Sequence, residues 1–200
     1  MVTDPAKKQS YLETLRQEAG RLNHLIENVL AYSRIERGSA KTRKESLKLG
    51  ALVERLRPRL EERMDGEGVS LAIDIVEGAE DRIVETDPGA VEQIVFNLVD
   101  NACKYARGGT EPCTVTLRVS ARGRKVRIEV QDNGQGIARG DRRRLFRPFQ
   151  KSSRDEADTK PGVGLGLSLC RRLARALGGD LRLAAARKPG ACFILELPGG

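Results

Sequence analysis

Asp132-Asn133-Gly134-Gln135-Gly136 decides how this chain is read, because an acid followed by two spaced glycines stands where an alternating strand pattern ends. By itself such a stretch is as readily a hairpin turn as a ligand loop. Two further segments give it weight. Upstream, Asn97-Leu98-Val99-Asp100-Asn101-Ala102-Cys103-Lys104-Tyr105 places polar residues three and four apart on a helical pattern. Downstream, Gly162-Val163-Gly164-Leu165-Gly166 opens another helix.

Side chains three and four apart stack on one helix face, so Asn97 and Asn101 can offer two amide oxygens to a hard cation while Lys104 meets an anion. The alternative is a solvated polar face, and the neighbouring segments favour the first reading. A buried carboxylate at Asp132 only accepts hydrogen bonds, which suits the exocyclic amine of adenine and rejects the carbonyl of guanine. Gly134 and Gly136 let backbone pass close to a flat base. The helix that Gly162 to Gly166 opens, over 167–177, presents free amides and a positive end to phosphate oxygens. Its glycine run fits neither Gly-x-x-x-x-Gly-Lys-Ser/Thr nor Gly-x-Gly-x-x-Gly, so the pocket is not of the P-loop or dinucleotide type.

Working outward, Val91, Ile94, Val95, Leu98, Val99 and Ala102 form the inward face of a helix over 88–107, capped by Thr86 or Asp87 with Pro88 in its first turn. Residues 49–64 read as an amphipathic helix, and 69–76 and 82–85 as strands. Residues 114–120 and 125–131 read as paired strands, and 180–185 and 191–197 as closing strands. The expected fold is an α/β (α+β) two-layer sandwich, a mixed, mostly antiparallel sheet under three helices. Leu145-Phe146-Arg147-Pro148-Phe149 is an apolar anchor in a charged stretch, and residues 150–161 have almost nothing to bury. A lid at about 138–162 is expected, since loops of that length inside a domain are usually functional or disordered.

At the start of the chain, Leu12, Leu15, Ala19, Leu22, Ile26, Val29 and Ser33 alternate spacings of three and four, widened by Leu25 and Leu30. This predicts a bundle helix over 3–37 that needs partners on two sides. No second helix of matching length accompanies it, so half of a helical hairpin is missing; a homodimer or upstream sequence would supply it. Gly38 and Ser39 suit a helix end. The expected division is 1–40 for this helix and 41–200 for the domain.

Composition bounds the rest. The 200 residues are 39% apolar and carry a formal charge of +8. Few aromatics and no zinc-finger, RNP or basic-zipper pattern accompany the charge, which argues against a nucleic-acid partner. Cys103, Cys113, Cys170 and Cys192 lie far from the single histidine, His24, and form no Cys-x-x-Cys pair, which argues against zinc. Two of them fall in helical patterns, as buried thiols of a reducing compartment would. No run approaches the roughly 18 apolar residues of a membrane span, and the first residues do not resemble a signal peptide.

The sequence resembles the sensor histidine kinases of two-component systems, and within them the ATP-binding domain of the GHKL superfamily, over nearly its whole length. Residues 97–105 look like the N box, 132–136 the G1 box, 145–149 the F box and 162–166 the G2 box, in family order. The resemblance implies a Bergerat ATP-binding fold with ATP and Mg2+ as ligands. It implies that Asn97 and Asn101 bind the metal, with Asn101 and Lys104 the catalytic pair. Lys104 would touch phosphate, Tyr105 pack near adenine, and Asp132 fix its amine. Gly134, Gly136, Ile137, Phe146, Phe149, Gly162, Val163, Gly164, Leu165 and Gly166 would complete the nucleotide site. Arg147, Lys151 and Arg154 are candidate phosphate contacts from the lid.

The same resemblance makes the first helix the second helix of a dimerisation and phosphotransfer hairpin. The family's His-Glu-x-x-Thr-Pro type motif is absent, and His24, between Asn23 and Leu25, lacks its flanking residues. The implied partners are the phosphoacceptor hairpin, a response-regulator receiver domain and a second copy of the chain. The implied location is the cytoplasm, or the cytoplasmic part of a membrane-bound sensor. Related ATPases carry a glutamate four residues before the metal asparagine, whereas this chain has Asn97, which cannot take a proton. Slow hydrolysis and transfer to an imidazole follow. The alternative is a non-catalytic ATP sensor or dimerisation scaffold.

Overall fold

The computed structural model describes residues 4–37, 43–65, 68–106, 112–150, 164–184 and 190–200. In chain order the elements are α1 (Pro5–Glu36), β1 (Glu45–Lys48), α2 (Leu49–Asp65), β2 (Ser70–Ile75), β3 (Ile83–Thr86), α3 (Pro88–Ala106), β4 (Thr114–Arg122), β5 (Lys125–Asp132), α4 (Arg139–Arg142), α5 (Gly166–Ala176), β6 (Asp180–Leu183) and β7 (Cys192–Pro198). A five-stranded sheet runs β2-β4-β5-β7-β6. Only the β2–β4 pair is parallel; β4–β5, β5–β7 and β6–β7 are antiparallel. The mixed sheet under helices is therefore the expected α/β two-layer sandwich.

The core forms where the two periodicities meet. Along β5 every second residue points under the helices, so Val126, Ile128 and Val130 are buried and Asp132 follows them to the same face. From α3, Val91, Ile94, Val95, Leu98, Val99, Ala102 and Cys103 face inward. Leu49, Leu52, Val53, Leu56, Leu60 and Met64 of α2 and Leu169, Cys170 and Leu173 of α5 join them. The Asp87 carboxylate accepts the Ala90 amide at 3.1 Å, so Asp87 caps α3 and Pro88 takes the first helical position. All four cysteines are free and buried.

One strand differs from the sequence expectation. Glu45–Lys48, for which the sequence predicts no element, pairs antiparallel with β3 in a separate two-stranded sheet. With Leu47 its single apolar residue, this segment has no alternation to betray it; it is a strand because β3 is there to pair with. The N-terminal helix forms over almost the expected span, and its stripe is exposed at Leu12, Leu15, Leu22, Ile26, Val29 and Leu30. Ala31, Tyr32 and Ile35, near its C-terminal end, pack against the domain core. Within the expected lid, α4 and the turn after it are ordered up to Gln150, and residues 151–163 lie outside the described residues. Among the described residues no helix is long and apolar enough to cross a membrane.

Candidate functional site

Asp132 ends β5 at 4% exposure, carried inward by the strand's alternation. Its Oδ1 accepts the backbone amides of Gly134 at 2.9 Å and Ala191 at 3.2 Å. No donor from another described residue reaches Oδ2, which leaves that oxygen for a ligand. Burial pushes the carboxyl above the usual carboxylate range, and the two amides work against that rise. Asn133 braces the loop: its Oδ1 accepts the Thr114 amide at 2.9 Å and its Nδ2 donates to the Pro112 carbonyl at 2.8 Å.

Two glycines let neighbouring backbone close on this acid. A Cβ at Gly134 would run into the Tyr105 carbonyl oxygen, so the loop lies directly against the end of α3. Gly190, with φ at +110°, would carry a Cβ into the Asp132 carbonyl oxygen. Gly190 and Ala191 border this acid, and sequence reasoning did not single them out; the available signal was Pro189-Gly190 just ahead of a strand.

On α3, Asn101, Lys104 and Tyr105 are half-buried beside this loop. The Asn101 side chain takes no partner among the described residues. Lys104 Nζ lies 5.4 Å from the centre of the Tyr105 ring. Asn97 is placed differently: it is 3% exposed, and its amide is paired with Asn28 of α1. The sequence expectation sets its oxygen beside that of Asn101 for a cation, whereas in this arrangement the oxygen is already engaged by Asn28.

The N-terminus of α5 meets α3 here. A Cβ on Gly166 would come within 3.3 Å of Asn97 Oδ1. Leu165 is buried and its carbonyl accepts the Ser168 hydroxyl at 2.8 Å. The Gly164 carbonyl accepts the Phe149 amide at 3.1 Å, which ties the start of α5 to the turn after α4. Gly136 and Ile137 are half-buried, and Ile137 packs against the core. Lys151, Arg154, Gly162 and Val163 fall outside the described residues.

The aromatic pair divides its work. Phe146 meets Phe193 edge-on at 6.5 Å and carries the Arg171 guanidinium 4.8 Å above its ring. Phe149 is 64% exposed, has φ at 59° and meets Tyr32 of α1 edge-on at 6.4 Å. Phe146 and Arg147 line a cavity of about 630 Å³ with Arg142, Arg143, Arg171 and Arg182 among its walls, which the N-box residues and Asp132 do not border.

Chemically, the site presents one buried acceptor against a glycine wall, the Asn101 amide and the Lys104 ammonium one helical turn apart, and a helix N-terminus. These are the elements needed to fix an amine-bearing base, a hard cation and an anion.

Similarity to known proteins agrees. The profile of the Histidine kinase-, DNA gyrase B-, and HSP90-like ATPase family matches residues 86–200. The adaptive-response sensory kinase SasA of Synechococcus sp. (strain JA-3-3Ab) is 30% identical over 98% of this chain and 50% of its own length. The virulence sensor protein BvgS of Bordetella bronchiseptica is 33% identical over 97% of this chain and 16% of its own length. The chain thus spans half or less of the length of these relatives. Full-length ShkA, solved in complex with AMPPNP, superposes with a TM-score of 0.72 at 28% identity, over 97% of this chain and 39% of that one. The catalytic domain of histidine kinase ThkA gives 0.66 at 27% identity, over 78% of this chain and 96% of that one. With more than half of its residues under the profile, this chain belongs to the Histidine kinase-, DNA gyrase B-, and HSP90-like ATPase family.

Proposed function

We propose that this chain is the ATP-binding catalytic part of a sensor histidine kinase. It delivers the γ-phosphoryl group of ATP to a histidine on a helical hairpin, and a response-regulator receiver aspartate then takes it. The observation that carries this reading is Asp132, whose Oδ1 is held by two amides while Oδ2 is left for an adenine amine. The AMPPNP bound to ShkA supports an adenine nucleotide as the ligand. Resemblance supports the hairpin and regulator as partners, a homodimer through α1, and the cytoplasm, or the cytoplasmic part of a membrane-bound sensor, as location.

In this reading Asp132 selects the base, the Gly134 and Gly136 backbone lies against it, Tyr105 borders it, and Lys104 with the α5 amides offsets phosphate charge. A magnesium ion, when bound, supplies further charge neutralisation, and Asn101, with its amide open, fits the role of holding it. Asn97 offers no carboxylate to take a proton from water, so hydrolysis is slow. A second reading, a non-catalytic ATP sensor or scaffold, is favoured by the Asn28–Asn97 pairing, which occupies one of the two expected metal ligands.

Calorimetry with Mg-ADP and Mg-GDP, on this chain and its Asp132→Asn variant, tests the site. Adenine-selective binding that disappears in Asp132→Asn is expected; equal affinity for both bases overturns the reading. With γ-labelled ATP, label is expected on a hairpin supplied in trans and not on His24, with little free phosphate. Binding without any transfer selects the second reading.

A further inference from the structure

We propose that Asn28 of α1 is a latch on Asn97, so that docking of α1 and engagement of a nucleotide-bound cation by Asn97 exclude each other. The proposal rests on the reading of Asn97 as a cation-binding residue. The two amides are 5% and 3% exposed and bond reciprocally: Asn28 Nδ2 donates to Asn97 Oδ1 at 3.0 Å, and Asn97 Nδ2 donates to Asn28 Oδ1 at 3.1 Å. The second hydrogen of Asn97 Nδ2 goes to the Gln93 carbonyl at 2.9 Å, and Gln93 Nε2 reaches Asn28 Oδ1 at 3.4 Å. Oδ1 of Asn97 also faces Gly166, so helix surfaces close it in from both sides. A hydrated cation held by Asn101, one turn away, gains Asn97 only when α1 leaves.

The remaining contacts of α1 suit a reversible dock. Ala31, Tyr32 and Ile35 are its half-buried apolar contributions to the core. Tyr32 also meets the exposed Phe149 ring edge-on, and the other contacts are polar and exposed: Arg16 with Glu62 at 3.3 Å, Glu36 with Arg172, Arg172 over the Tyr32 ring at 4.8 Å, and Glu27 with Arg59 at 3.7 Å. Beside the amide pair a cavity of about 280 Å³ opens between Leu30, Ala31, Gln93 and Phe96, so the helix is not tightly packed there. In such an interface a buried reciprocal amide pair fixes one docking register, because breaking it leaves polar groups unsatisfied. When only the undocked fraction can use Asn97, apparent affinity for the metal-bound nucleotide falls by that fraction. By reciprocity, metal-bound nucleotide drives α1 off.

The test is an ADP titration with and without magnesium on the wild-type chain, Asn28→Ala, Asn97→Ala and the double variant, with Glu36→Ala as a second way to loosen α1. A nitroxide pair at Lys8→Cys and Glu77→Cys reports docking independently, the native cysteines being buried. Asn28→Ala is expected to tighten magnesium-dependent ADP binding about fivefold to tenfold, the worth of a neutral hydrogen bond or slightly more. Metal-free binding should stay unchanged, the gain should vanish in the Asn97→Ala background, and Glu36→Ala should move the same way by less. Mg-ADP should lengthen the nitroxide distance in the wild-type chain. A silent Asn28→Ala in a chain that binds Mg-ADP, or a gain that survives Asn97→Ala, overturns the latch and leaves the nucleotide reading standing. A wild-type chain with no ADP affinity overturns the nucleotide reading, and the latch with it.

Discussion

The two oxygens of Asp132 stand differently, Oδ1 held by two amides and Oδ2 by neither, and a substitution there can tell them apart. Asparagine at 132 keeps an oxygen for the Gly134 and Ala191 amides and puts an NH2 where Oδ2 stood. It also removes a charge that burial disfavours. Asp132→Asn should therefore melt no lower than the wild-type chain while losing adenine nucleotide, which separates ligand recognition from folding in one variant. Gly190→Ala should do the reverse. Its φ of +110° and the approach of the Asp132 carbonyl leave no room for a methyl group, so a loss of about 3 kcal/mol is expected in denaturant unfolding. ADP affinity should fall with it, since the Ala191 amide moves with Gly190. An alanine variant of wild-type stability would show that the loop before β7 can shift at little cost. Pro189-Gly190 announces a turn, but the pairing of Gly190 with Asp132 was not readable for a physical reason: what demands a glycine there is the backbone of Asp132, far away in the chain.

At the scale of elements, legibility followed periodicity. Lys125–Asp132 alternates cleanly, so both the strand and the acid at its end were readable, and the Val91–Ala102 stripe gave α3 with its cap. Glu45–Lys48 has no pattern of its own and exists through β3. Asn97 was expected to share a face with Asn101, and its burial was not foreseen, because its partner, Asn28, stands 69 residues away. The sheet also carries a charge device that no local pattern announces. On β7, Glu196 is met by Arg182 of β6 at 2.9 Å and by Arg127 and Lys125 of β5 at 3.0 and 3.2 Å. Those three cations hold its carboxyl down at about 2, from an ordinary 4.5. A folded pKa below the unfolded one contributes stability that is whole above the unfolded value and is lost as pH falls through the folded one. Here the loss runs from about pH 5 to about pH 2. The linkage ceiling is about 3 kcal/mol, and screening of the exposed arginine and lysine heads lowers the expectation to about 1 kcal/mol. Glu196→Gln should flatten that part of the pH–stability curve; an unchanged acid limb would mean the three cations gain nothing over solvent.

For the whole molecule, the question is what α1 is built to touch. Its inner side offers the domain an amide pair and a few half-buried residues, whereas Leu12, Leu15 and Leu22 stand 52%, 65% and 59% exposed, with Ile26, Val29 and Leu30 beside them. An exposed apolar stripe of this length is disfavoured in water and calls for a helical partner. A second copy supplies the same stripe in isologous form. The expected behaviour in sedimentation is a concentration-dependent dimer that Leu15→Glu with Leu22→Glu converts to monomer, at unchanged ADP affinity, because neither residue borders the nucleotide site. Loss of ADP affinity in that variant would instead tie the stripe to the catalytic domain. A wild-type chain that stays monomeric would show that the stripe awaits a different helix, such as the partner helix of the hairpin that the family resemblance implies. The dimer and the latch then become one problem in linkage. Any helix that binds the outer stripe of α1 more tightly in the undocked position than in the docked one frees Asn97, and so raises affinity for metal-bound nucleotide without touching the site.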